Sequence, residues 1–244
     1  MASLPEEKEI AWFFDALKPI AVKNLVRIGG DSDGGYVVPK VLDGVKYCFS
    51  PGVDKVCTFE KELSLKYDIL SHLADNSVDS PPDELKGFVF LKKYIATYSD
   101  EHNIEINTWF GLVDKSEEFI LQMDIEGDEY STLLATTREN LDRARVIVLE
   151  LHYLHLIFTI SGNKILKSFL KKLLENHTVV FLNPNNNEET YDGLGFSMPS
   201  VLEITLVRND YLELLNQPFT YPHPMNIVNN PHKKQITLDR RFFQ

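Results

Sequence analysis

The chain has 244 residues, 36 of them acidic and 25 basic, for a formal charge of −11. That length suits one domain with a sizeable core, and the acidic balance argues against nonspecific binding to nucleic acid or an anionic membrane, which needs a basic surface. No apolar run approaches the roughly 18–20 residues of a membrane span. The acidic start lacks a signal peptide's basic and apolar regions, and Cys48 and Cys57 are too few for a disulfide scaffold or a cysteine zinc site, so a reducing, cytoplasmic location is expected.

Taken in chain order, Ile10, Phe13, Phe14 and Leu17 fall at helical spacing and predict an amphipathic opening helix within Glu6–Ile20. Val26–Ile28 and Tyr36–Val38 read as short strands around a glycine-rich turn. Val45–Phe49 is the next predicted strand, Phe59–Lys66 a helix, and Asp68–Leu73 a strand running into Asp75. Phe88–Tyr94 is aromatic and β-branched. Phe119–Met123 runs apolar into Asp124, and a helix is predicted over Tyr130–Asn140. Val146–Leu151 is a near-continuous apolar run carrying Glu150, Ile165–Asn176 a lysine-studded helix, Thr178–Leu182 a strand and Val201–Val207 a last central strand.

Alternation of strands and helices, with several strands apolar on both faces, predicts a doubly wound, mostly parallel α/β sheet covered on both sides. One domain over residues 1–244 is expected: a helix and glycine-rich hairpin through 40, a core over 41–210 and an irregular tail from 211. Ligands of such sheets bind beyond the carboxyl ends of the strands, where strand order reverses. Polar residues just past each strand are therefore the ones to read.

Gly52, in Phe49-Ser50-Pro51-Gly52-Val53-Asp54, follows the first core strand, where a glycine lets backbone approach a ligand. Asp75, 23 residues on, stands where an acid accepts the hydroxyls of a ribose; the plainer reading is a turn glycine and a capping aspartate. In Met123-Asp124-Ile125-Glu126-Gly127-Asp128-Glu129, an apolar strand delivers Asp124 to the sheet edge, which is costly unless the carboxylate has a partner or a task. Capping of a helix N-terminus accounts for Asp128 and Glu129.

Glu150 and His152 fall on one side of their strand. If neighbouring strands supply Asp124 and Glu150, the two carboxylates hold a divalent cation or orient His152, the natural proton acceptor near neutral pH. A hydrogen-bonded structural histidine is the alternative. His155 belongs to the following helix or loop.

The stretch from Arg27 to Tyr36 has four glycines. It is not an EF-hand, because the twelfth position from Asp31 is Leu42, and it lacks the Gly-Lys-Ser/Thr ending of a phosphate loop. It is either a tight turn or an ordered wall of a ligand site. Asn183-Pro184-Asn185-Asn186-Asn187 reads as a turn, Pro222-His223-Pro224 as a possible cover for the pocket, and Phe242-Phe243 as a packed terminal hook.

Together these segments resemble the FkbM-type family of S-adenosylmethionine-dependent methyltransferases. The most specific match is Asp124-Ile125-Glu126-Gly127-Asp128-Glu129, joined by Glu150-Leu151-His152, Arg27-x-Gly29 with Asp33-Gly34-Gly35-Tyr36, Ser50-Pro51-Gly52-Val53 with Phe59-Glu60, and Leu202-Glu203. The resemblance implies a Rossmann-like class I methyltransferase fold, S-adenosylmethionine over Gly52 with its ribose on Asp75, and further cofactor contacts at Asp33, Gly35 and Tyr36. It also implies a sugar, sugar nucleotide or polysaccharide intermediate as the hydroxyl acceptor. His152 is then the base, assisted by Asp124 and Glu150 directly or through a divalent metal. Asp54 departs from the family, many of whose members have a glycine there.

Two rivals stand beside this reading. A nicotinamide-dependent sugar-nucleotide oxidoreductase needs the Gly-x-Gly-x-x-Gly loop that this chain lacks. A non-catalytic ligand-binding module would keep the fold without the chemistry.

Overall fold

The computed structural model describes residues 4–31, 34–81 and 87–243. Helix α1 (Glu7–Leu17) buries Ile10, Phe13, Phe14 and Leu17, and the Glu9 side chain accepts from the Glu6 amide at 3.1 Å to close its first turn. Strands β1 (Leu25–Ile28) and β2 (Tyr36–Pro39) form an antiparallel hairpin. The core then runs through β3 (Tyr47–Pro51), α2 (Thr58–Tyr67), β4 (Leu70–Ala74) and β5 (Phe88–Leu91). A short parallel pair, β6 (Tyr94–Ala96) and β7 (Asn103–Glu105), leads into α3 (Ile106–Phe110) and β8 (Phe119–Met123). After α4 (Glu129–Ala135), α5 (Arg138–Leu141), β9 (Ala144–Leu151) and α6 (Ile160–Leu173) come β10 (His177–Pro184), the hairpin β11 (Thr190–Gly193) with β12 (Phe196–Pro199), and β13 (Leu202–Arg208).

Seven strands make the central sheet in the order β5-β4-β3-β8-β9-β13-β10. Pairs from β5 to β9 are parallel, while β13 is antiparallel to both neighbours. Counting only these seven in chain order gives 3-2-1-4-5-7-6, a Rossmann-like doubly wound sheet. The winding reverses between β3 and β8, so a crevice opens at their carboxyl ends.

Period-two alternation explains the double-sided burial. Phe49, Leu121 and Leu149 face a core shared with α1, α3, α4 and α6. Cys48, Ile120 and Val148 face the other way, against Phe59 and Leu63 of α2 and Ile28, Tyr36 and Val38 of the hairpin. The second face is thus covered partly by a β-hairpin. Cys48 and Cys57 are buried and form no disulfide, and no described helix is long and apolar enough to cross a membrane.

Some elements differ from expectation for local reasons. The helix expected over Tyr130–Asn140 breaks at Thr136, where Thr137 caps a new turn by accepting from the Asn140 amide at 3.3 Å. Lys172 donates to the Leu134 carbonyl at 2.6 Å and also to that of Thr136, satisfying the broken end. Helix α6 begins five residues earlier than its apolar spacing shows, because Thr159 caps it through the Gly162 amide at 3.0 Å. In the tail, Phe242 is fully buried 4.5 Å from Phe14 between ring centroids, the hook expected there.

Candidate active site at the carboxyl edge of the sheet

Gly52 follows β3 with φ +82°, and a Cβ there would stand 1.6 Å from the Asp124 carbonyl oxygen. Only a residue without a side chain lets the β3 loop lie this close to the end of β8. Asp75, just past β4, folds the same loop: one oxygen accepts from the Asp54 amide at 2.9 Å, the other from the Ser77 amide at 2.7 Å and hydroxyl at 2.6 Å. Asp54 has φ +36°, in the region glycine prefers, so this aspartate sits at a strained position.

These loops wall a cleft of about 580 Å³. Gly52, Asp75 and Tyr36 line it, as do Tyr94, Asp124 and Glu126. Gly34 reaches the cleft and Gly35 does not: Gly35 is packed so tightly that a Cβ would meet the Gly30 carbonyl at 2.0 Å, and its own carbonyl accepts from Arg27 at 2.6 Å. Asp33 lies outside the described residues. Among its described residues, Gly34 and Tyr36 form part of the cleft wall, and Arg27 braces the segment through the Gly30 and Gly35 carbonyls. Pro222-His223-Pro224 does not cover the cleft, because His223 packs on Phe181 and Phe219.

Behind the wall, the ends of β8 and β9 bring the expected trio together. Asp124 is 3.7 Å from His152 Nε2, and its carboxyl shares a hydrogen bond with Glu150. Glu150 also accepts from Asn185 Nδ2 at 2.5 Å, so Asn185 serves the site as well as a turn. The residue that holds the imidazole is one that helix capping alone had explained. Glu129, fully buried, has Oε1 3.2 Å from His152 Nδ1, and its carboxylate accepts from the Ile125 and Gly127 amides at 2.8 and 2.9 Å. Exposed Glu126 lies 3.5 Å from Nε2.

Electrostatics follow from this crowding. Burial pushes the Asp124 pKa well up, and the neighbouring Glu150 adds to the rise while His152 opposes it. Burial pulls the His152 pKa down, but Glu129, Asp124 and Glu126 outweigh it and leave the value raised. One Asp124 oxygen is buried without a hydrogen-bond partner. Ligand atoms of Asp124, Glu129 and His152 lie within 4.8 Å of one another, an oxygen-and-nitrogen set that fits a divalent cation.

A second polar group forms the cleft floor. Ser50 Oγ is 2.5 Å from both Glu60 Oε1 and Gln122 Oε1. One hydroxyl hydrogen cannot serve two acceptors, so a protonated Glu60 donates to Ser50, which donates to Gln122. Gln122 Nε2 then donates to the Tyr36 hydroxyl at 3.1 Å. Burial raises the Glu60 pKa to about 7, outweighing the lowering effect of a Ser50 bond donated to the ionised carboxylate, so the protonated arrangement holds below that pH.

No protein-family model matches the chain, and no curated protein matches it either. Among solved structures, it is similar to a fibrillarin/Nop5p complex at 15% identity, covering 68% of this chain and 74% of that one, with a TM-score of 0.43. It is also similar to the 16S rRNA (adenine(1408)-N(1))-methyltransferase of Catenulisporales acidiphilia at 9% identity, covering 80% and 100%, with a TM-score of 0.33. Neither likeness bears on the reaction.

Proposed function

We propose that the protein is an S-adenosylmethionine-dependent O-methyltransferase of FkbM type. Its acceptor is a hydroxyl of a sugar, sugar nucleotide or polysaccharide-biosynthesis intermediate. The observation that carries this reading is the cleft at the winding reversal, with the side-chain-free Gly52 and the Asp75 carboxylate in its wall and an acid-flanked imidazole directly behind Asp124. The cleft's volume, about 580 Å³, lies within the range of small-molecule sites.

Gly52 backbone and Asp75 would hold the donor, with Tyr36 beside them. The donor supplies a methyl group already activated on a sulfonium centre, so the protein's task is alignment and proton removal. In the neutral imidazole, Glu129 accepts from Nδ1–H of His152, which leaves Nε2 unprotonated beside Asp124 and Glu126 of the cleft wall. His152 Nε2 takes the acceptor's hydroxyl proton, and the adjacent carboxylates stabilise the imidazolium that forms. Asp124 and Glu150 together retain a proton, which limits the negative charge gathered beside that base.

A metal-assisted version has one observation in its favour, the unpartnered buried oxygen of Asp124. There Asp124, Glu129 and His152 would hold a divalent ion that lowers the pKa of the hydroxyl.

Separate calorimetric titrations with S-adenosylmethionine and NADH test the reading. Binding of the first alone is expected. Binding of NADH alone would move the chain to the oxidoreductases, and binding of neither would favour a non-catalytic module.

A further inference from the structure

Four aromatic rings run in file from the imidazole of His152 onto the open surface. His152 lies 6.2 Å from Tyr153, Tyr153 6.3 Å from His155, and His155 4.3 Å from Tyr191, centroid to centroid, with the last pair stacked. Tyr153 and Tyr191 are 47% and 41% exposed, and Leu156 and Leu194 of the same two segments are also open to water. Single exposed apolar side chains are ordinary, but a contiguous row marks a surface that something covers.

Tyr153 is held in that row by its backbone. Its φ of +55° lies in the left-handed region, where tyrosine is strained, and such strain persists where the surroundings enforce it for use. Its ring rests on Gly127, where a Cβ would come within 2.6 Å of Cε2. A ring so fixed offers a flat face at low entropic cost to a ligand.

Charge decides what kind of ligand. Asp54, Asp75, Glu126 and Asp128 line the adjoining cleft, together with Asp124 and Glu60, whose pKa values burial raises, against one base, Lys55, among the described residues. A phosphate or a nucleic-acid strand meets repulsion there. Hydroxyl groups donate to carboxylates, and the CH face of a sugar ring lies flat on an aromatic one.

We propose that Tyr153, His155 and Tyr191 form a platform for an uncharged oligosaccharide, which stacks along the row and brings a hydroxyl of one ring to His152. The purpose of the platform rests on the methyltransferase reading, and it narrows the acceptor from sugars and sugar nucleotides to neutral glycans.

Saturation-transfer NMR on the full chain tests this, with cellotetraose, maltotetraose and chitotetraose as probes beside UDP-N-acetylglucosamine. At least one neutral tetrasaccharide should receive saturation through its ring CH protons. Tyr191→Ala and Tyr153→Ala should each weaken its binding about three- to tenfold, the range for one lost aromatic contact, and Tyr191→Phe should restore it. Thermal melts check that the variants are folded. Transfer to none of the three, binding indifferent to both tyrosines, or preference for the nucleotide sugar overturns the platform. Titration of the same samples with S-adenosylmethionine separates the two ideas: donor binding without glycan binding sinks the platform alone, and glycan binding without donor binding sinks the methyltransferase reading alone.

Discussion

Glu129 Oε1 stands 3.2 Å from His152 Nδ1, and the same carboxylate is pinned by two loop amides in a fully buried position. A carboxylate that cannot turn away dictates the tautomer of its histidine, and through it which nitrogen faces the chemistry.

Glu129→Gln keeps the shape but weakens the hold on Nδ1–H. It is expected to lower kcat on the order of 100-fold, with His152→Ala at least as severe. Donor affinity measured by calorimetry should stay near wild type for both, because neither side chain lines the cleft. Near-normal turnover in His152→Ala would remove it as the base.

Activity should depend on pH through that imidazole. As the proposed base, His152 would act only when neutral, and its carboxylate neighbours raise its pKa above the ordinary 6.5 against the opposing effect of burial. The rate should therefore fall as pH drops through a value above 6.5 and level off on the alkaline side. A pH profile of kcat/KM checks it, and Glu129→Gln should move the limb to lower pH.

Glu60→Gln should stabilise the protein at alkaline pH. The folded state keeps the Glu60 proton up to about pH 7, whereas an unfolded chain loses it near 4.5. Stability contributed by this group is thus complete below 4.5 and lost as pH rises to 7, a difference of roughly 3 kcal/mol. The glutamine amide donates to Ser50 at every pH. Urea titrations should show the variant more stable than wild type at pH 8 and indistinguishable from it at pH 4.5.

Gly52→Ala places a methyl against the Asp124 carbonyl at a backbone angle alanine resists. A loss of about 1–3 kcal/mol is expected. S-Adenosylmethionine affinity should fall with it, read by calorimetry at a temperature where the variant is folded.

Exhaustive chelation separates the two versions of the chemistry. An unchanged rate after EDTA treatment supports the metal-free base. Loss of rate restored by magnesium or manganese supports the ion at Asp124, Glu129 and His152.

Asp124 was readable in the sequence because an apolar run that stops on a charge announces its own boundary, and Glu150 because a lone charge inside the apolar run Val146–Leu151 is conspicuous. Glu129 was not readable as a partner of His152. The turn at Glu126 and Gly127, with φ of +58° and +109°, folds the chain back so that a helix-capping acid meets the next strand. Ser50, Glu60, Gln122 and Tyr36 come from four elements, with Tyr36 and Gln122 separated by 86 positions. Nothing local marks such a group. The Val201–Val207 run shows a central strand but not its direction, which depends on the short hairpin before it. That hairpin, with Asp192, Gly193 and Gly195 at its tip, has too little apolar alternation to be seen.

The antiparallel β13 has its own consequence for how the chain comes to be folded. Residues 202–208 wedge between β9 and β10, two strands made earlier. On the ribosome, the growing sheet must wait with one flank of β9 bare and β10 unplaced until that late segment emerges. During that wait the nascent protein presents an open apolar edge, the kind of surface that chaperones hold and neighbouring chains capture.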